Sequence, residues 1–257
     1  MKMTCMLFLL SIASQAVFSK EVKRDFYQLQ VYHLKNDNQV KMTDQFLEDA
    51  FLPALHRLTI KNIGVFKPVG NDTAAEKLIY VLIPFSSAEA WTKITAQLQN
   101  DASFKQSGKA FLEASATNPP YDRVESILME AFSGQPHLVL PASKNPERVF
   151  ELRSYESPTQ RLHEKKVDMI NTGGEIEIFS RLGFNPVFCG DVVSGSRMPN
   201  LMYLPIFENL AERDAQWKRF RDDAKCKEIS AMPEHESKVS VSHIDSTIMH
   251  STDYSDY

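Results

Sequence analysis

Gln28-Leu29-Gln30-Val31-Tyr32 and Glu151-Leu152-Arg153-Ser154-Tyr155 are two versions of one alternating segment, 123 residues apart. Leu78-Ile79-Tyr80 matches Leu201-Met202-Tyr203 at the same offset. Trp91 and Trp217 lie 126 apart, and Ile127-Leu128-Met129 and Thr247-Ile248-Met249 lie 120 apart. A near-constant offset of this length means a duplicated small domain, too long for a solenoid repeat. Strict alternation makes the quoted segment a strand. Tyr27, Leu29 and Val31 share one face, opposite Gln28, Gln30 and Tyr32; Phe150, Leu152 and Ser154 likewise oppose Glu151, Arg153 and Tyr155. The apolar face is expected to lie beneath helices and the polar face to line an interior.

Outward from these strands, helical spacing runs over 43–58, where Pro53 implies a kink or restart, and over 160–182, interrupted by Gly173-Gly174. Further strands read at 63–69, 77–84 and 123–132, and at 185–193, 200–207 and 238–249. Ser86-x-x-Glu89 and Asn209-x-x-Glu212 are cap-like helix starts. The order strand, helix, strand, strand, helix, strand is ferredoxin-like. The expected fold is therefore α+β: two tandem ferredoxin-like β-α-β-β-α-β units, at 21–134 and 148–250, packed sheet to sheet as a dimeric α+β barrel type pseudo-dimer. A linker at 135–147 joins them, and 251–257 reads as a loosely ordered polar tail.

Lys2 and the apolar run Met6–Ala13, followed by small residues at 14–19, read as a signal peptide over 1–19. The run is short for a membrane span, so the mature chain is expected to be exported, periplasmic or secreted, with no membrane contact after cleavage. The 29 basic and 33 acidic residues give a net charge of −4 without a basic cluster, which argues against nucleic acid as partner. After cleavage Cys189 and Cys226 remain, in dissimilar elements; two separate buried thiols are expected, and pairing stays open.

The run Asn171-Thr172-Gly173-Gly174-Glu175 through Phe188, then Arg197-Met198-Pro199-Asn200-Leu201-Met202-Tyr203, then Glu212-Arg213-Asp214-Ala215-Gln216-Trp217-Lys218-Arg219-Phe220, resembles the NIPSNAP family, covering roughly 148–250. The first half resembles it faintly, at the opening strand, Tyr80 and Trp91. The resemblance implies a dimeric α+β barrel and a family tied mostly to protein interactions. It implies no settled reaction, because barrels of this class include monooxygenases, isomerases, haem enzymes and binding modules.

Alternation puts Glu151, Arg153 and Tyr155 together on the face expected to line the barrel, as ligand-binding or catalytic candidates; an internal ion pair that fills the barrel is the alternative. Asn171, Glu175 and Tyr203 join the ligand-binding candidates, and Glu175 also the catalytic ones, although Glu175 equally fits a helix N-terminus. His163-Glu164 and His235-Glu236 give no i, i+4 metal pair, and His33 reads as a solvent-facing strand-end histidine. No metal and no cofactor is expected. The reading is a small-ligand or protein-binding module, with homo-oligomerisation left open and a cofactor-independent oxygenase or isomerase using the second domain's cavity as the alternative. Any site is expected in the second half, where the charged residues are.

Overall fold

The computed structural model describes residues 22–233 and 237–257; the expected signal peptide and the His235-Glu236 pair lie outside them. The first half runs β1 (Phe26–Leu34), α1 (Asp37–Phe46), a π-helical turn at Leu47–Phe51, α2 (Leu52–Arg57), β2 (Gly64–Pro68) and β3 (Lys77–Phe85). It continues with α3 (Ala88–Asn100), α4 (Ala102–Ser107), α5 (Lys109–Leu112) and β4 (Arg123–Ala131). The second half runs β5 (Val149–Glu156), α6 (Gln160–Asn171), α7 (Glu175–Leu182), β6 (Asn185–Ser194), β7 (Asn200–Phe207), α8 (Leu210–Asp222), α9 (Ala224–Ser230), α10 (Ser237–Ser240) and β8 (His243–Ser251).

Local chemistry explains the boundaries. The first helix starts at 37, earlier than its apolar spacing shows, because the Asn36 side chain accepts from Gln39 N. Pro53 falls in the first turn of α2, where its missing N–H costs nothing, and the π turn before it absorbs the break. Ser87, not Ser86, caps α3, while Asn209 caps α8 as expected. Between α6 and α7, Gly174 sits at φ +103°, open to glycine and strained for other residues. The last strand begins at His243 and not at 238, since 237–240 forms α10.

All eight strands close into one antiparallel barrel in the order β1-β3-β2-β8-β5-β7-β6-β4. Each half supplies four neighbouring strands, and the seams are the short pairings of Phe66–Pro68 with Met249–Ser251 and of Leu128–Ala131 with Gly190–Ser194. The halves thus join through hydrogen bonds along their edges as well as through apolar faces. Closure satisfies strand edges that would otherwise present unpaired N–H and C=O groups.

The alternation is as read, but its direction is reversed. Tyr27, Leu29 and Val31 pack inside the barrel with Phe150, Leu152 and Met202 from the other half. Tyr32 packs instead with Phe46, Leu47 and Phe104 of the first helix layer, and Tyr155 and Tyr203 pack with Ile170, Phe179 and Trp217 of the second. The more apolar face turned inward because both sheet faces are covered here, one by the opposite sheet and one by helices.

The tail is a second difference. Thr252 N donates to Val65 O and Asp256 N to Ile63 O, so the chain after β8 runs on beside β2. Tyr254 Oη donates to Asp44 (2.6 Å) and Tyr257 Oη to Asn62 O (2.9 Å). Tyr257 is only 5% exposed and packs edge-on against Phe66 and tilted against Phe150, at ring distances of 5.7 and 6.2 Å. Its two aromatic rings hold a segment whose composition is otherwise polar. Cys189 in β6 and Cys226 in α9 are free and buried, and burial raises the Cys189 thiol.

Candidate functional site

The barrel interior is layered by strand register. At its base, Tyr27, Phe66, Phe150 and Tyr257 fill the space, with Phe66 and Phe150 rings 4.8 Å apart. The next layer is apolar, with Leu29, Ile127 and Leu152. Above it Val31 pairs with Glu125 and Ser154 with Asp245, and at the top His33 pairs with Arg123 and Glu156 with His243. Side chains two apart on a strand share a face, so these polar residues ring the open end of the barrel.

A cavity of about 270 Å³ lies beneath this ring. Its walls include Leu29, Val31, Leu78, Ile127, Leu152 and Met202, and its polar groups are Tyr80, Ser154 and Thr247. Both halves contribute. Two ionic clusters at equivalent positions crown it. In the first, His33 Nδ1 is 2.9 Å from Glu76 and Nε2 is 3.0 Å from Glu125, which also pairs with Arg123. In the second, Arg197 binds Glu156 (2.5 Å) and Asp245, and His243 Nε2 lies 2.9 Å from Asp245. His33 is therefore a buried rim residue, its ring nitrogens each within 3.0 Å of a carboxylate, and not solvent-facing.

Burial raises the Tyr80 hydroxyl; a hydrogen bond from Thr247 opposes this, and the carboxylates of Asp245, Glu125 and Glu76 reinforce it. Burial pushes the Glu125 carboxyl up, but Arg123 and His33 more than offset it, and the net shift is downward. Asp245 is also lowered, by Arg197 and His243 against burial. Glu156, His243 and Asp245 place ligand atoms within 4.8 Å of one another, a spacing that suits a metal ion, yet the Arg197 guanidinium already binds both carboxylates. A larger depression of about 430 Å³ beside the start of α3 lies on the outer surface, lined by Lys61, Glu89 and Lys93.

The residues singled out from sequence are brought together, but on the other side of the sheet. Glu151 is fully buried beneath α8 and accepts from Arg153 (2.7 Å), Arg213 (2.7 and 3.0 Å), Trp217 Nε1 (2.7 Å) and Ser246 (2.6 Å). Burial disfavours the Glu151 carboxylate; bonds from Arg213, Ser246, Trp217 and Arg153 outweigh it and hold the pKa down at about 2. Arg153 also donates to Tyr155 Oη (2.9 and 2.6 Å), its guanidinium stacks 4.8 Å from the Trp217 ring, and Tyr155 bonds Tyr203 at 3.1 Å. These bonds make the group an internal ionic network between sheet and helices, away from the barrel cavity.

The first half carries an uncharged counterpart. Gln28 donates to Ser126 (2.8 Å) and Tyr32 to Gln30 (3.1 Å), at the positions of Glu151, Ser246, Tyr155 and Arg153. Asn171 ends α6 and its Oδ1 accepts from Gly134 N (2.8 Å), tying that helix to the residue just before the linker. Glu175 is buried in the first turn of α7.

Sequence matching misplaced one residue. Val31 pairs with Tyr80, and its counterpart Ser154 pairs with Met202, so Tyr80 corresponds to Met202 and not to Tyr203. A one-residue slip exchanges faces. Tyr80 therefore points into the cavity while Tyr203 lies under the helices. The two tryptophans are displaced as well: Trp91 is the fourth residue of α3 and Trp217 the eighth of α8, one helical turn apart. The signal for the rim was present in the repeat itself, as Arg123-x-Glu125 against His243-x-Asp245 at the strand starts, 120 residues apart.

Residues 150–256 match the NIPSNAP family, and the second half of the chain is a NIPSNAP domain. Over the whole chain the fold is similar to that of a candidate monooxygenase from Fusobacterium nucleatum subsp. nucleatum, at 7% identity, 89% coverage of this chain, 92% of that one and a TM-score of 0.59. A candidate monooxygenase from Lactobacillus acidophilus NCFM is similar at 10% identity, covering 89% and 94% with a TM-score of 0.55. An anthrone oxidase-like protein is similar at 11%, covering 89% and 92% with a TM-score of 0.53. At these identities the likeness is one of fold, an eight-stranded antiparallel barrel of the dimeric α–β type. No curated protein matches the chain.

Proposed function

We propose that this chain, its second half a NIPSNAP domain, is a small-molecule-binding barrel in which two ferredoxin-like units from an ancestral duplication enclose one ligand site. The observation that carries this reading is the cavity of about 270 Å³ under the polar ring, closed at its base by aromatic rings. Its volume falls below the roughly 300 Å³ at which pockets for drug-sized ligands begin, so the ligand is compact. Apolar walls would bury its body and the rim would hold its polar end. The site belongs to both halves, because Tyr80, Glu125 and Ile127 line it beside Leu152, Met202 and Asp245. The monooxygenase descriptions of the fold neighbours belong to those proteins; no arrangement of the rim residues favours oxygenase chemistry over simple binding.

Titration with 2-phenylethanol, followed by methyl NMR, is expected to give saturable shifts at Val31, Leu152 and Met202. Val31→Phe should fill the cavity and abolish those shifts while the rest of the spectrum stays folded. Shifts confined to the outer surface, or unchanged in the folded Val31→Phe protein, would refute the cavity reading. Export is proposed separately from the charged, apolar start of the chain: the mature N-terminus should lie near Lys20, and protein from the native host carrying an intact Met1 would overturn it.

A further inference from the structure

The charge of the rim says which polar end the ligand carries. Four carboxylates (Glu76, Glu125, Glu156 and Asp245) stand around the mouth against two arginines and the imidazoles of His33 and His243. Both arginines are committed. Arg123 pairs with Glu125 through one guanidinium nitrogen, and Arg197 spans Glu156 and Asp245 through two. Glu125 and Asp245 occupy equivalent places in the two halves, each opposite an inward-facing residue, Val31 and Ser154. Tyr80 projects between the halves into the same cavity.

We propose that the barrel mouth selects a small organic cation: a primary or secondary ammonium on a compact apolar body. The body would lie against Leu29, Ile127 and Leu152, and the ammonium would donate to Glu125, Asp245 and the Tyr80 hydroxyl. Low-dielectric walls strengthen such contacts, and an organic acid at the same place would meet more carboxylates than guanidiniums. Burial is the main cause that raises the Tyr80 hydroxyl, and the carboxylates of Asp245, Glu125 and Glu76 add to it. An aliphatic ammonium keeps its charge throughout the neutral range. This inference rests on the cavity reading above, and the probes below separate the two.

The test compares 2-phenylethylamine, 2-phenylethanol and 3-phenylpropionate, three probes of similar size, by calorimetry and NMR at low salt and neutral pH. The amine is expected to bind roughly tenfold or more tighter than the alcohol, as a charge-assisted bond implies, and the acid to bind weakest. Asp245→Asn alone, and Glu125→Gln with Asp245→Asn, should bring the amine-to-alcohol ratio toward one; the single conservative variant guards against a misfolded double variant. Equal binding of amine and alcohol, or tightest binding of the acid, overturns the cation inference and leaves the cavity reading standing. Binding of none of the three overturns both. If zinc chloride alone perturbs Glu156, His243 and Asp245 while the amine does not bind, the rim charge serves a metal ion and the proposal fails.

Discussion

Glu151→Gln is expected to destabilise the folded chain by about 3 kcal/mol. The carboxylate is fully buried and receives bonds from two arginines, a tryptophan and a serine, so the amide would turn an N–H₂ toward guanidinium donors. The pKa gives the same size. A fall from 4.5 to about 2 corresponds to about 3 kcal/mol. Because the folded value is the lower one, this stability is complete above the unfolded pKa and is lost as pH falls from about 4.5 toward 2. Urea unfolding at pH 7, 4 and 3 should show a gap between wild type and variant that is constant near neutrality and narrows in acid. A gap independent of pH would mean that the ionic network does not stabilise the fold. Gln28→Ala, at the equivalent neutral site, should cost only about 1 kcal/mol.

Tyr257→Ala is expected to cost about 3 kcal/mol or more, the range for truncating a buried aromatic ring. Tyr257 closes the base of the barrel against Phe66 and Phe150 and bonds Asn62 O, while Ser255 and Asp256 bond Val65 N and Ile63 N. The loss should be cooperative, lowering the single unfolding midpoint, because the tail bridges from β8 of the second half to β2 of the first. A surface tail would give a change within about 0.5 kcal/mol, and a value that small would show that the terminus is not part of the core. Ser255→Ala removes one bond to Val65 N and should cost about 1 kcal/mol.

The strand and helix order and the NIPSNAP motifs were legible because each rests on local residue chemistry. Strict alternation at 27–32 and 150–155 marks strands whatever they pack against. The Gly173-Gly174 break and the Asn209 cap follow from backbone freedom and from an oxygen placed before a helix. The triad Glu151, Arg153 and Tyr155 was also legible as one group on one face.

Tertiary structure alone decided which face turned in. Both faces of these strands are covered, one by the opposite half and one by helices, so burial does not tell them apart. The barrel took the residues that fill a closed space around its axis, and the helices covered a carboxylate that Arg213 and Trp217 of α8 could satisfy. Neither partner is near Glu151 in sequence. The candidate cavity, unlike its rim motifs, was hidden for the same reason: Tyr80 and Asp245 come from different halves and line one space only when the barrel closes. The register of β7 against β5, one residue from the motif match, is set by long-range hydrogen bonds, and that single step separates Tyr80 in the cavity from Tyr203 beneath the helices.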